Sequence, residues 1–307
     1  MIWTTSCNRR FKILFPKVPD NHKPNRPLVP NGLGVIYVLA SVTYLFLLYY
    51  FQLAEIETFN NVSPALTLAV CILFGGFMGL LDDWMDLRWR YKAFFPLIAA
   101  IPLISLAISL GLRTSMATFI FGTIDFGVYY FFIIIPLIVT VTTNTVNQLG
   151  GLNGLETICP AIVMIGLMIF SGLNAILLYV PLIVWLLLAF FNFRGKIFVG
   201  NTGSFAIGIT LAAFAIISDL KTVLLISILP FIFNSSLILL NYFFFRARAS
   251  VSFDGKKLFS DHRRSLITLI THRRYLTERQ VVVIISLLVA ASTFAALFVQ
   301  WLLLQQF

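Results

Sequence analysis

Nine long apolar stretches constrain the fold of this chain more than any other feature. Each approaches the length of about 20 residues with which an α-helix crosses the hydrocarbon core of a bilayer. Backbone polar groups find no partners in lipid, so such stretches cross as helices. The sequence therefore predicts an all-α polytopic membrane protein with about nine transmembrane helices, at roughly residues 33–52, 64–81, 93–112, 126–143, 155–173, 175–191, 204–218, 221–243 and 279–304.

Composition excludes a soluble globular domain. Hydrophobic residues make up 59% of the chain and charged residues only 11%, whereas soluble domains carry about 25% charged residues. The stretch 114–125 is β-branched and contains glycine, so we interpret it as a hairpin-like connection instead of a span. We divide the chain into an N-terminal segment, 1–32, and one transmembrane domain, 33–307, with a long polar loop at 244–278.

The positive charges predict the orientation. The chain has 22 Lys and Arg against 12 Asp and Glu, a net charge of +10. If the N-terminus is cytoplasmic, all of these cations except Arg113 and Lys221 lie on the cytoplasmic side or at its edge. Cytoplasmic loops of membrane proteins carry such an excess. We therefore expect a cytoplasmic N-terminus, an outside C-terminus, the lipid bilayer as the partner of many of these cations, and no nucleic acid.

Three carboxylates mark the cytoplasmic loop 82–92. Asp82, Asp83 and Asp86 stand at i, i+1 and i+4 at the end of an apolar stretch. On a helix, Asp82 and Asp86 would share a face. Carboxylates this close repel each other and usually need a cation or basic partners. The alternative is a solvated helix end, neutralised by the basic residues that follow in the same loop.

Two further cytoplasmic loops are rich in asparagine and glycine. Residues 144–154 contain three of each and no Lys or Arg, which suits a metal ligand or a nucleobase edge because amides offer both donors and acceptors. The alternative is a helix end followed by a turn. Residues 200–204 read Gly-Asn-Thr-Gly-Ser before an apolar stretch, which suits either an anion site or an ordinary helix cap.

The loop 244–278 is the most basic segment. Arg246 and Arg248 directly follow a span, where a guanidinium could bind phosphate with two hydrogen bonds. For the clusters between residues 256 and 274 we favour binding to anionic lipid headgroups. Residues 265–271 fit an amphipathic helix on the membrane. The three histidines lack zinc-ligand spacing.

Together these loops resemble the polyprenyl-phosphate N-acetylhexosamine-1-phosphate transferases, and within them the eukaryotic and archaeal dolichyl-phosphate GlcNAc-1-phosphate transferases. The likeness extends from about residue 20 to the C-terminus. The segments that carry it are Asp82-Asp83 with Leu87-Arg88-Trp89-Arg90-Tyr91-Lys92, Asp125-Phe126-Gly127, the asparagine-rich loop 144–156, Lys196-Ile197-Phe198-Val199-Gly200-Asn201-Thr202, and Arg246-x-Arg248.

This resemblance implies a phosphoryl transfer. A polyprenyl or dolichyl phosphate would attack the β-phosphorus of a UDP-N-acetylhexosamine, most simply UDP-GlcNAc, and UMP would leave. The resemblance implies Mg²⁺ as cofactor, with Mn²⁺ as a substitute. It favours an archaeal cell membrane, or the endoplasmic reticulum if the source is eukaryotic, with the active site cytoplasmic. We leave a homodimer open.

The resemblance also implies roles for single residues. Asp82, Asp83 and Lys92 are the catalytic candidates, and the aspartates would orient Lys92 or the surroundings of the lipid phosphate. The remaining roles are phosphate binding by Lys92, Arg246 and Arg248, Mg²⁺ ligation by Asn147 and Asn201, uracil binding by Asn153, and contact with the N-acetyl sugar by Asp86, Trp89 and Arg248.

Three departures from the family pattern bear on activity. Asn201 stands where the family has a metal-binding Asp, and Asn31 stands where the eukaryotic branch has a Glu. The family's first span has no counterpart, and residues 1–32 resemble the loop that follows it. A second hypothesis is therefore an impaired member that binds nucleotide sugar or lipid phosphate without turnover. A third hypothesis is a transporter. Ion pathways usually need ionisable residues deep inside the spans, and the predicted spans contain none there.

Overall fold

A computed structural model of the chain describes residues 15–53, 62–118, 122–247 and 249–306. Every predicted apolar stretch contains a helix. A π-helical turn (Tyr130–Ile134) precedes α4, and a 3₁₀ turn (Gly172–Leu178) precedes α6. The helices are α1 (Gly34–Tyr50), α2 (Pro64–Met85), α3 (Trp89–Ser109), α4 (Ile135–Gln148), α5 (Leu155–Phe170), α6 (Tyr179–Phe193), α7 (Gly200–Ile217), α8 (Lys221–Ser227), α9 (Leu229–Phe245), α10 (Leu266–Ile270) and α11 (Glu278–Gln306).

Length and composition make six helical segments of the described chain fit to cross a membrane: α2, α3, α7, α11, and α4 and α6 with the turns before them. Helices α8 and α9 meet at a 55° bend and add a seventh if they form one span. Helices α1 and α5 are apolar but shorter, at 17 and 16 residues. The all-α polytopic prediction is confirmed, whereas the count of nine and the orientation stay predictions.

Short antiparallel hairpins connect some of the helices. Strands β1 (Lys17–Pro19) and β2 (Leu28–Pro30) pair before α1. Strands β3 (Ser115–Thr118) and β4 (Gly122–Asp125) pair in the segment where the sequence predicts a hairpin. Strands β5 (Ser252–Phe253) and β6 (Leu258–Phe259) pair in the loop before α10. Helix α10 falls within the predicted helix 265–271, and Ser265 and Thr268 form a capping box at its start.

Helix α7 lies at the centre of the fold. All of its residues from Thr202 to Ile217 are buried, and it packs against α1, α2 and α4. Glycines allow these helices to approach the first turn of α7. A Cβ on Gly34 would overlap the backbone of Gly203, and a Cβ on Gly79 would overlap the carbonyl group of Asn201. The backbone at the start of α7 is therefore fixed by close packing from two sides.

The predicted site loops gather at this same end of the helices. The last turn of α2 reaches the start of α7, and so does the last turn of α4. The first turn of α11 contacts the loop before α5. Segments far apart in sequence therefore meet near the start of α7. The charge pattern of the sequence predicts that these loops lie on one side of the membrane.

Candidate active site

Asp82 binds Lys92 at the end of α2. Its Oδ1 lies 2.8 Å from Nζ of Lys92 and accepts a hydrogen bond from the backbone N–H of Leu87. Asp82 is only 3% exposed, and its Oδ2 has no hydrogen-bond partner within the described residues. A buried carboxylate beside an ammonium fixes the position of that cation. This geometry fits the role of orienting Lys92.

Asp83 caps the central helix from a different helix. Its two carboxylate oxygens accept hydrogen bonds from the backbone N–H groups of Asn201 and Thr202, at 2.8 and 2.9 Å. The hydroxyl of Thr202 donates a third at 2.8 Å. Free N–H groups and the helix dipole attract an anion at a helix start. Asp83 therefore occupies the helix start for which the sequence allows either an anion site or an ordinary cap.

The two predicted metal ligands are in contact. Nδ2 of Asn147 donates to Oδ1 of Asn201 at 3.0 Å and to Oγ of Ser204 at 2.8 Å. Mg²⁺ prefers oxygen ligands, and two amide carbonyls and a hydroxyl can supply them here. The residues therefore fit a divalent cation, although the Asn147 carbonyl must turn towards it. An aspartate at position 201 would add a negative charge that these three groups lack.

Asn153 is buried and is bound by two carboxylates. Its Nδ2 donates to Asp20 at 2.8 Å and to Glu278 at 2.9 Å, and its backbone N–H donates to Glu278 at 2.7 Å. Asn153 is 3% exposed, and its Oδ1 lacks a partner in the part of the chain described. Its amide donors are thus already used by protein groups, which the predicted contact with uracil did not anticipate.

Two of the three predicted sugar contacts, Asp86 and Trp89, are exposed. The ring of Trp89 packs edge-on against Phe243 of α9 at 5.4 Å, which brings the start of α3 to the end of α9. Arg246 ends α9 in a left-handed conformation and is exposed. Arg248 lies outside the described residues.

The expected shared face of Asp82 and Asp86 does not form. Helix α2 ends at Met85, and Asp86 follows in a left-handed conformation. Asp86 is exposed whereas Asp82 is buried. The two carboxylates therefore occupy different environments, and only Asp82 binds Lys92.

A small cavity lies next to Asn153, and its partner Asp20 is part of the lining. It has a volume of about 150 Å³ and is lined by the hairpin 19–22, by Gly151 and Leu152, and by Glu156 and Phe198. Gly151 has a φ of +94°, and no atom lies within 4 Å of where a Cβ would stand. A flat ring could approach the backbone of Gly151 and contact Phe198. The carboxylates in the lining, those of Asp20 and Glu156, could accept hydrogen bonds from N–H groups of that ring.

Comparison with known proteins decides the family. Residues 65–219 match glycosyl transferase family 4. A protein of Saccharolobus solfataricus, named provisionally as a UDP-N-acetylglucosamine–dolichyl-phosphate N-acetylglucosaminephosphotransferase, is 31% identical over 87% of this chain and 82% of its own length. The chain belongs to glycosyl transferase family 4.

More distant similarities extend to eukaryotes and bacteria. The UDP-N-acetylglucosamine–dolichyl-phosphate N-acetylglucosaminephosphotransferase of Dictyostelium discoideum is 24% identical over 67% of this chain and 59% of its own. The phospho-N-acetylmuramoyl-pentapeptide-transferase of Streptococcus pyogenes is 24% identical over 75% and 71%. The family matches the resemblance that the sequence motifs carry, and it makes this chain a phosphoglycosyltransferase.

Several site residues of this glycosyl transferase family 4 member were missed by sequence reasoning. Asn192 at the end of α6 is fully buried, accepts from the backbone N–H of Gly154 and donates to the carbonyl of Ile197. It thereby joins two of the site loops. An asparagine directly after a continuous apolar run was the available signal. Asp20 and Glu278 gave no such signal, because their partner is more than 120 residues away in sequence.

Proposed function

We propose that this protein transfers N-acetylhexosamine-1-phosphate, with GlcNAc-1-phosphate as the group, from a UDP-sugar to a polyprenyl or dolichyl phosphate. An oxygen of the lipid phosphate attacks the β-phosphorus, the bond between that phosphorus and the bridging oxygen breaks, and UMP leaves. The product is a lipid-diphosphate-sugar, the first membrane intermediate in the synthesis of a lipid-linked glycan. The names of the relatives in Saccharolobus and Dictyostelium support these substrates.

One observation carries the proposal: four separate helices bring acidic, basic and amide groups into one connected row. Asp82 binds Lys92, the neighbouring Asp83 binds the start of α7, and Asn147 binds Asn201 within that start. A phosphoryl transfer between two anions depends mainly on positioning and charge neutralisation. These linked contacts position the side chains and supply positive charge to the site.

The residues at the diphosphate end have separable tasks. Lys92, oriented by Asp82, would neutralise a phosphate oxygen, and Arg246 would bind phosphate at the rim. Asp83 is committed to three hydrogen bonds with α7, so we assign it to positioning Asn201 instead of removing a proton. The attacking phosphate needs no strong base, because its second pKa of about 6 leaves it largely dianionic at neutral pH.

A divalent cation completes this end of the site. Asn147 and Asn201 would hold Mg²⁺ or Mn²⁺, which when bound offsets the negative charge of the diphosphate. The nucleobase end would be the cavity lined by Gly151 and Phe198. Asn153 would then support the wall of that cavity instead of contacting the base, because its side chain is almost completely buried.

We place the reaction at the cytoplasmic face of an archaeal cell membrane. The uneven distribution of Lys and Arg over the predicted loops supports the side, and the relative from Saccharolobus supports the source. The apolar helices would hold the lipid phosphate at the height of the site, with its chain in the bilayer.

A transfer assay tests the proposal. The purified chain in lipid, supplied with UDP-[¹⁴C]GlcNAc, polyprenyl phosphate and Mg²⁺, should place label in the lipid phase. The Asn201→Asp variant is assayed beside it. Turnover by that variant alone would refute activity of the chain as it stands and would support the impaired-member hypothesis.

A further inference from the structure

A buried charged cluster joins three distant segments beside the nucleobase cavity. Asp20 belongs to the hairpin between β1 and β2, Asn153 to the loop before α5, and Glu278 to the first turn of α11. Oε2 of Glu278 lies 2.6 Å from Nζ of Lys23. Its Oε1 accepts two hydrogen bonds from Asn153, one from the backbone N–H and one from Nδ2.

The cluster connects two walls of the cavity. One wall is the hairpin 19–22, and the other is formed by Gly151 and Leu152. Asp20 belongs to the first wall and accepts a hydrogen bond from Nδ2 of Asn153, which directly follows the second wall in sequence. Asp20 also accepts the backbone N–H of His22, so its carboxylate shapes the hairpin as well. The spacing of the two walls therefore depends on Asn153 and its two carboxylate partners.

A metal ion does not explain this cluster. Ligand atoms of Asp20, His22 and Glu278 lie within 4.8 Å of one another. The ammonium of Lys23 already neutralises Glu278, so a divalent cation would have to displace it. Asn153 presents N–H groups to both carboxylates, and such donors would also compete with a metal for the same oxygens.

We propose that Glu278 is a positioning residue for nucleotide binding: it fixes Asn153 and thereby the two walls of the cavity that takes the uracil ring. This inference rests on the proposed function. It connects α11 to the nucleobase, whereas Lys92 would bind phosphate. Loss of Glu278 should therefore weaken binding of the nucleotide and leave the apparent KM for the lipid phosphate unchanged.

Binding of UMP tests the proposal without turnover. Isothermal titration of UMP into the full chain in lipid nanodiscs should give a Kd that rises at least tenfold for Glu278→Ala and less for Glu278→Gln, which keeps one acceptor oxygen. Gln280→Ala is the matched control. Gln280 lies in the same helical turn, is exposed and binds Thr277, so its loss disturbs the helix start without touching Asn153.

A double-variant cycle separates positioning from general damage. If Glu278 acts through Asn153, then Glu278→Ala should raise the Kd by a clearly smaller factor when Asn153→Ala is already present, because only the backbone N–H of residue 153 then still donates to Glu278. An equal effect in both backgrounds, or an equal effect of Gln280→Ala, would overturn the proposal. If Glu278→Ala does not fold, the cycle is run with Glu278→Gln. Failure of the unaltered chain to bind UMP would instead refute the proposed function, and this inference with it.

Discussion

Asp83 offers the sharpest test of how the site is built, because its carboxylate binds the protein's own helix. The change is Asp83→Asn, which keeps the size of the side chain, removes its charge and turns one oxygen into an amide N–H₂ group. That group would face the N–H groups of α7 or the hydroxyl of Thr202, so at least one of the three hydrogen bonds is lost.

The magnitude follows from these contacts. A hydrogen bond to a charged group contributes about 1.5–3 kcal/mol. If that loss falls entirely on the placement of Asn201, kcat/KM decreases by roughly tenfold to 150-fold. Unfolding should become easier by a similar free energy, because the same bonds cap the start of α7. Thr202→Ala removes only the hydroxyl contact with this carboxylate, at 2.8 Å, and should cost about 1.5 kcal/mol, the lower end of that range, because Asp83 keeps its charge and both backbone donors.

The assay measures initial rates of label transfer and thermal unfolding for both variants in the same lipid. Positioning predicts that activity and stability decrease together, with Thr202→Ala in the same direction and smaller. The reasoning would be wrong if Asp83→Asn abolished turnover with no change in thermal stability while Thr202→Ala remained fully active. That pattern would mean that Asp83 acts on the substrate itself.

Three further predictions concern neighbouring residues. Lys92→Met leaves the buried carboxylate of Asp82 without its ammonium partner. This should lower the free energy of unfolding by about 1–3 kcal/mol, less than for a fully buried pair because Lys92 is partly exposed. Adding Asp82→Asn should restore thermal stability but not turnover, and a double variant as unstable as the single one would contradict this. Gly79→Ala should destabilise by about 1–3 kcal/mol, measured by thermal unfolding, and more than Gly76→Ala, because its Cβ would meet the backbone of Asn201 instead of a valine side chain; equal effects would count against fixed packing there. Asn201→Asp should lower the Mg²⁺ concentration for half-maximal turnover, since it adds a carboxylate, whereas Asn201→Ala should raise it; a Mg²⁺ titration that is the same for all three chains would remove position 201 from the metal site.

The helices and the gathering of loops could be predicted from the sequence. Apolar length marks helices in lipid, and charge asymmetry assigns loops to one side. The hairpin at β3 and β4 followed from a β-branched, glycine-containing stretch. These features are local, or depend only on which side of the membrane a loop faces. The sequence was sufficient for the helices and this hairpin, whereas the side of the membrane stays a prediction.

The partners within the site could not be predicted in this way. Asp83 binds residues 118 and 119 positions away, and sequence reasoning supplies only the general rule that helix starts attract anions. The exposure of Asp86 depends on where α2 ends, and the end is set by a left-handed residue without a glycine signal. Asn153 was expected to meet the base, but burial and two distant carboxylates determine its contacts.

The fate of the β-phosphorus tests the central claim most directly. UDP-GlcNAc labelled with ³²P at the β-position and with ¹⁴C in the sugar is incubated with the chain, polyprenyl phosphate and Mg²⁺. Transfer of a sugar-1-phosphate predicts both labels in the lipid product in equal amounts and unlabelled UMP in solution. Carbon label in the lipid with ³²P retained in released UDP would contradict the account, because it would show transfer of the sugar alone.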